Sequence, residues 1–131
     1  MAASPIWTGT VRVDAAAVTK NATHAFTDAV DGNEYTAVVI NVGNSGVRIN
    51  KVLFAANGTT VAGAVGLILK DGSNYYLLKT IPVPVFTASA SAGSWNYELE
   101  FASGLFLEYG QELGAISTAS DMAVTAFYGE Y

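Results

Sequence analysis

The sequence predicts an all-β chain folded as an antiparallel sandwich. Three observations carry this. Runs of β-branched and aromatic residues recur along the chain, clusters of Gly, Asn, Asp and Ser separate them at roughly 8–12-residue spacing, and helical periodicity is thin.

The elements follow in order. Trp7 to Val13 reads as the first strand, with Thr8, Thr10 and Arg12 alternating against Trp7, Val11 and Val13. Asp14 to Lys20 offers the best helical candidate. Asp14 can cap one or two turns there, and an Ala-rich loop fits equally well. Thr23 to Thr27 is a short second strand, and Asp31-Gly32-Asn33 marks a turn before the third, Tyr35 to Val42. The unbroken apolar stretch Ala37-Val38-Val39-Ile40 suggests a central strand buried on both faces. Arg48 to Ala56 and Val61 to Lys70 follow, with Asn57-Gly58 between them suited to a positive φ. Asp71-Gly72-Ser73 joins Val61–Lys70 to Tyr75–Val83 as a hairpin.

Pro82 and Pro84 cannot donate to a ladder, so Ile81 to Phe86 is expected at a sheet edge or outside the sheet. Thr87 to Ser94 is a loop of small residues, either a mobile segment or a contact surface for a neighbour. Trp95 to Phe101, Gln111 to Ser117 and Met122 to Tyr128 complete the set. About eight or nine strands fit a jelly roll, two sheets packed face to face.

A chain of 131 residues fits a single domain, 1–131. With 51% apolar residues it has material for a core without staples, and it has no cysteine to form them. Only 13% of residues are charged, about half the usual share. Such a surface is either a contact surface for other subunits or simply a neutral β-domain exterior. The net charge of −5 and the scatter of Arg12, Lys20, Arg48, Lys51, Lys70 and Lys79 argue against nucleic acid and against an anionic membrane surface. No apolar run approaches the ~18–20 residues that span a bilayer. The N-terminal residues lack the pattern of a signal peptide, which leads to the expectation of synthesis in a cytoplasm. Without export, the sequons at Asn21 and Asn57 carry no meaning.

Catalytic equipment is sparse. His24 is the one histidine, and neither a nucleophile elbow nor a cysteine accompanies it, so an ordinary strand histidine is expected. No metal or other cofactor is expected. Asp28, Asp31, Asn33 and Glu34 share a loop without calcium-loop spacing, which favours a solvated turn. Glu98 and Glu100 lie two apart on one strand face. They form either an acid pair or the polar side of a strand that buries Tyr97, Leu99 and Phe101, and alternation alone explains the second. No phosphate-binding loop occurs. The rings of Trp7, Trp95, Tyr75, Tyr76, Tyr97, Tyr109, Tyr128 and Tyr131 are candidates for core, for interface, or for stacking on sugar.

Three stretches together resemble a known group. They are Val47-Arg48-Ile49-Asn50-Lys51-Val52 with Val65 to Gly72 and Tyr76-Leu77-Leu78, then Gly104 to Ala115, then Val124 to Tyr131. This layout resembles the small β-sandwich structural proteins of tailed bacteriophages, of the capsid-decoration or cement kind. The resemblance runs from about Gly46 to Tyr131, and its motifs are strand punctuation, not catalytic signatures. It implies a non-enzymatic virion protein that binds the major capsid protein or another virion component. It also implies a homo-oligomer, with a trimer favoured. Candidate interface residues on that reading are Pro5, Ile6, Trp7, Trp95, Tyr128 and Tyr131. Residues 1–7 would form an arm anchored by Trp7, or Trp7 belongs to the chain's own core. The competing readings are a carbohydrate-binding jelly roll, including the receptor-binding end of a fibre, a small glycosidase or lyase, and a tail-tube or baseplate component. A sugar-binding module requires exposed aromatics with amide and carboxylate neighbours on a concave surface.

Overall fold

The computed structural model describes residues 10–21, 35–41 and 46–130. Among these the chain forms eight strands: β1 (Thr10–Val18), β2 (Thr36–Ile40), β3 (Val47–Ala56), β4 (Gly63–Asp71), β5 (Asn74–Val83), β6 (Asn96–Leu107), β7 (Gln111–Ser117) and β8 (Met122–Glu130). They build two antiparallel sheets, β1-β8-β3-β6 and β2-β7-β4-β5. The pairing has a simple rule. β1 pairs with β8, β2 with β7, β3 with β6 and β4 with β5, so the chain forms one long antiparallel ribbon. The ribbon wraps on itself, and β3–β8 and β4–β7 pairing joins the turns of the wrap. This is the jelly-roll order.

Period-2 alternation fills the space between the sheets. Met122, Val124, Ala126 and Tyr128 of β8 point inward, as do Val52 and Phe54 of β3 and Val65 and Leu67 of β4. Among the described residues Phe54 is the largest fully buried side chain. Removing a ring of that kind costs about 3–5 kcal/mol, much of it from the cavity left behind. In β3 the inward positions Ile49 and Val52 stand three apart, not two. Asn50 is an extra residue against β8, and this bulge switches the parity of the strand, while on the β6 side the surplus lies in β6 itself, where residues 101–104 stand against Asn50.

Several expectations change. Asp14 to Lys20 is neither helix nor loop: β1 runs on to Val18, in unbroken register with Met122–Glu130, and Lys20 bridges Ser117. Sheet pairing overrides the weak strand preference of Ala15-Ala16-Ala17. β2 is an edge strand, not a central one. A register shift between Ala37 and Val39 lets Val38 and Val39 both be buried, while Ile40 is 47% exposed. The bulge, not two-sided burial, explains the apolar run. Gly58 lacks a positive φ, because β3 and β4 lie in different sheets and need no tight hairpin there. Gly72, with φ of 63°, supports the β4–β5 hairpin. β6 continues past Phe101 to Leu107 through an irregular stretch that includes Gly104. Pro82 lies on β5, an edge strand, and Pro84 follows its end. The Thr23–Thr27 strand and the Asp31–Asn33 turn fall outside the described residues.

Among the described residues the buried polar side chains of Asn41, Thr60, Ser117 and Ser120 sit where the chain changes sheets, and each is bonded. Asn41 donates through its backbone N to Gln111 O at 3.0 Å and through Nδ2 to Leu107 O at 3.1 Å, pinning the β6–β7 turn. Thr60 Oγ1 donates to Pro84 O at 2.6 Å and accepts from Phe86 N at 2.9 Å. It fixes the chain just after β5. Ser117 Oγ donates to Ser120 O at 2.7 Å, closing the β7–β8 connection.

Candidate functional site

Three surfaces result from this architecture. The first is the outer face of the β1-β8-β3-β6 sheet. Residues alternating with the core positions point there: Val13, Ala15 and Ala17 of β1 lie opposite Phe127, Thr125 and Ala123 of β8, which in turn lie opposite Lys51, Leu53 and Ala55 of β3. The positions at Ala15, Ala17, Ala123, Thr125, Leu53 and Ala55 are uncharged, and Val13 is 54% exposed. Charge collects along its β6 side. Glu98 and Glu100 lie opposite Leu53 and Lys51, and Lys51 Nζ stands 3.3 Å from Glu98 Oε1 and 4.8 Å from the centre of the Phe127 ring. The glutamates therefore line an outer sheet face beside a lysine. Leu99 and Phe101, on the other side of the strand, pack against the core, as alternation predicts, while Tyr97 is 38% exposed.

The second surface is the outer face of the β2-β7-β4-β5 sheet. One residue from each strand or its approach meets there: Tyr35 just before β2, Glu112 of β7, Lys70 of β4 and Tyr75 of β5. Tyr35 Oη donates to Glu112 Oε1 at 3.0 Å, Lys70 Nζ lies 3.9 Å from Glu112 Oε2, and the Tyr35 and Tyr75 rings meet edge to face at 5.3 Å. Below them lie the buried Ile68 and Ile116. Burial, and then the neighbouring Glu112 carboxylate, push the Tyr35 phenol well above the ordinary tyrosine range. This network ties all four strands together. Sequence reasoning missed it, because only register reveals that Lys70 and Glu112 are partners.

The third is a shallow groove of about 460 Å³ at the end of the sandwich. The β3–β4 connection forms one wall with Asn57 and Gly58, and the segment leading into β6 forms the other with Ser89, Gly93 and Ser94. Ala56 and Ala88 also line it, and among the described residues no ionisable side chain does. Hydrogen bonds hold the walls. Ala88 N donates to Thr59 Oγ1 at 3.1 Å, and Ser89 and Gly93 exchange backbone bonds of 3.1 and 2.8 Å.

The candidate interface residues distribute unevenly. Pro5, Ile6, Trp7 and Tyr131 fall outside the described residues, as do His24 and the Asp28–Glu34 loop. Trp95 is partly buried, packs against the core and stacks on Tyr97, with ring centres 6.3 Å apart and planes 15° apart. Tyr128 is 5% exposed, inside the sandwich, so its ring is core and not contact surface. Its Oη donates to Asp14 Oδ2 at 2.7 Å. Burial, followed by that bond to a carboxylate, raises the Tyr128 phenol above the ordinary range. Among the described residues no group of three or more His, Cys, Asp and Glu gathers as a metal site requires, and no helix is long and apolar enough to cross a membrane.

No family model, curated protein or solved structure matches the chain.

Proposed function

We propose that this chain is a non-enzymatic structural component of a bacteriophage virion, of the capsid-decoration kind, acting through its surfaces as an oligomer. The observation that carries the reading is the outer face of the β1-β8-β3-β6 sheet, where Ala15, Ala17, Leu53, Ala55, Ala123 and Thr125 form an uncharged field and the charged residues Arg48, Lys51, Glu98 and Glu100 lie on β3 and β6. Protein contact surfaces are depleted of charge at their centres. The jelly-roll order supports the reading more weakly, since viral capsid domains and lectins share it. A protein that binds an assembled lattice and not its separate subunits stabilises the lattice by mass action. An oligomer engaging several subunits gains avidity without a new type of contact.

The test measures the mass of the purified chain in solution by light scattering and its cosedimentation with tailed-phage capsid shells. Ala15→Glu with Ala17→Glu places two carboxylates on the exposed part of the face and should abolish sedimentation with shells without lowering the thermal midpoint. A chain that stays monomeric and does not sediment with shells overturns the proposal.

A further inference from the structure

We propose that the groove between Asn57-Gly58 and Ser89–Ser94, extended by the ring of Tyr97, is a binding site for a neutral oligosaccharide. Three features define the ligand. Among the described residues no ionisable side chain lines the groove, which disfavours phosphates, carboxylates and cationic ligands. Its walls mix the amide of Asn57 and the hydroxyls of Ser89 and Ser94 with the methyl groups of Ala56 and Ala88. A pyranose has that same composition, hydroxyls around its edge and C–H groups on its faces. The volume lies within the range of small-molecule sites.

The aromatic partner lies further along the same segment, beyond Trp95. Ser94 forms part of its wall, and Ala56 N donates to Trp95 O at 2.9 Å, so β6 leaves the groove beside the end of β3. Tyr97 pairs with Phe54, and Phe54 and Ala56 are both inward positions of β3. Tyr97 therefore lies on the same side of the β3–β6 ribbon as the groove's Ala56, at the same end of the strands. Unlike its core-facing neighbours it stays 38% exposed, and Trp95 stacks against it and holds its ring. Trp95 and Asn96 separate Ser94 from Tyr97, three residue steps that span about 10 Å when extended. A ligand that fills the groove and also stacks on Tyr97 must be longer than one sugar ring. The hydrogen bonds across the walls are already made, so binding orders little of the protein.

The experiment titrates the full isotope-labelled chain separately with the hexamers of β-1,4-glucose, α-1,4-glucose and β-1,4-N-acetylglucosamine and follows amide resonances. At least one should give saturable shifts at Asn57, Gly58, Gly93, Ser94 and Tyr97, with its monosaccharide at least tenfold weaker. Tyr97→Ala should weaken that binding about tenfold. Gly58→Trp should abolish it and leave the thermal midpoint in place, because no atom stands within 4 Å of a Cβ there and φ is not positive. The proposal is overturned when none of the three hexamers shifts these resonances at about 10 mM, or when the shifts persist in Gly58→Trp. Capsid sedimentation is a separate readout, so this site and the assembly reading succeed or fail independently.

Discussion

The ring of Tyr35 occupies the space that a side chain at Gly114 would need. A Cβ built there meets Cε2 and Cζ of Tyr35 and the carbonyl oxygen of Thr36. The missing side chain in the middle of β7 is therefore what allows the residue before β2 to lie across the sheet and reach Glu112. Gly114→Ala forces the edge strand outward and should cost about 1–3 kcal/mol. Urea denaturation followed by tryptophan fluorescence measures it. Tyr35→Ala in the same chain should recover only part of the loss, because the clash with the Thr36 backbone remains.

Tyr35 and Tyr128 make stability depend on alkaline pH. Both phenols are raised in the folded state, chiefly by burial. A raised phenol binds its proton more tightly when folded, so its contribution is complete below the unfolded value near pH 10. Above that, the unfolded chain loses protons that the folded chain keeps. Stability should then fall with a limiting slope of about 1.4 kcal/mol per pH unit for each group. Between pH 6 and 9 neither group changes stability. Denaturation midpoints at pH 9, 10 and 11 measure the slope, and Tyr128→Phe should reduce it. An unchanged slope in that variant contradicts the assignment.

Gly104 and Gly110 separate two costs that usually come together. Both have positive φ, 79° and 85°. Nothing lies within 4 Å of a Cβ at Gly110, whereas at Gly104 the Arg48 side chain fills that space, with Cγ at 2.7 Å and Cδ at 2.9 Å. Gly110→Ala should cost about 1 kcal/mol, the penalty for a left-handed backbone. Gly104→Ala should cost more, because the Arg48 stem must move from its place over Phe106 as well. Equal thermal shifts in the two variants would show that Arg48 yields freely.

Much of the fold is legible in local sequence. Strand-forming runs between turn residues give β3, β7 and β8 nearly to the residue, Asp71-Gly72 gives its hairpin, and Pro82 marks the edge. What is not legible depends on pairing at a distance. Ala15 to Ala17 carry no strand signal of their own and become strand only because Ala123 to Thr125 lie opposite. Val38-Val39 looks like a central strand because a bulge and two-sided burial leave the same trace in sequence. Tyr128 reads as a candidate contact residue because alternation does not say which face of a strand meets the other sheet. The groove is less visible still. Asn57, Gly58, Ser89, Gly93 and Ser94 are ordinary loop residues, and their closeness comes from the wrap of the ribbon.

Thr60 links that groove to the core. It is fully buried, yet its hydroxyl both donates to Pro84 O and accepts from Phe86 N. Its backbone N also donates to Phe86 O at 3.0 Å. These bonds hold the chain where it leaves β5, two residues before Ala88 enters the groove wall. Thr60→Val keeps the shape but strands two polar backbone groups, and should cost about 1–3 kcal/mol. Thr60→Ser keeps both bonds and loses only a methyl group, about 1 kcal/mol. Hydrogen exchange separates a local effect from a general one. In Thr60→Val the amides of Phe86, Ala88, Ser89 and Gly93 should exchange faster relative to those of β8, whereas in Thr60→Ser their order relative to β8 should be kept. A uniform acceleration in Thr60→Val would mean that Thr60 supports the whole sandwich and not this wall in particular.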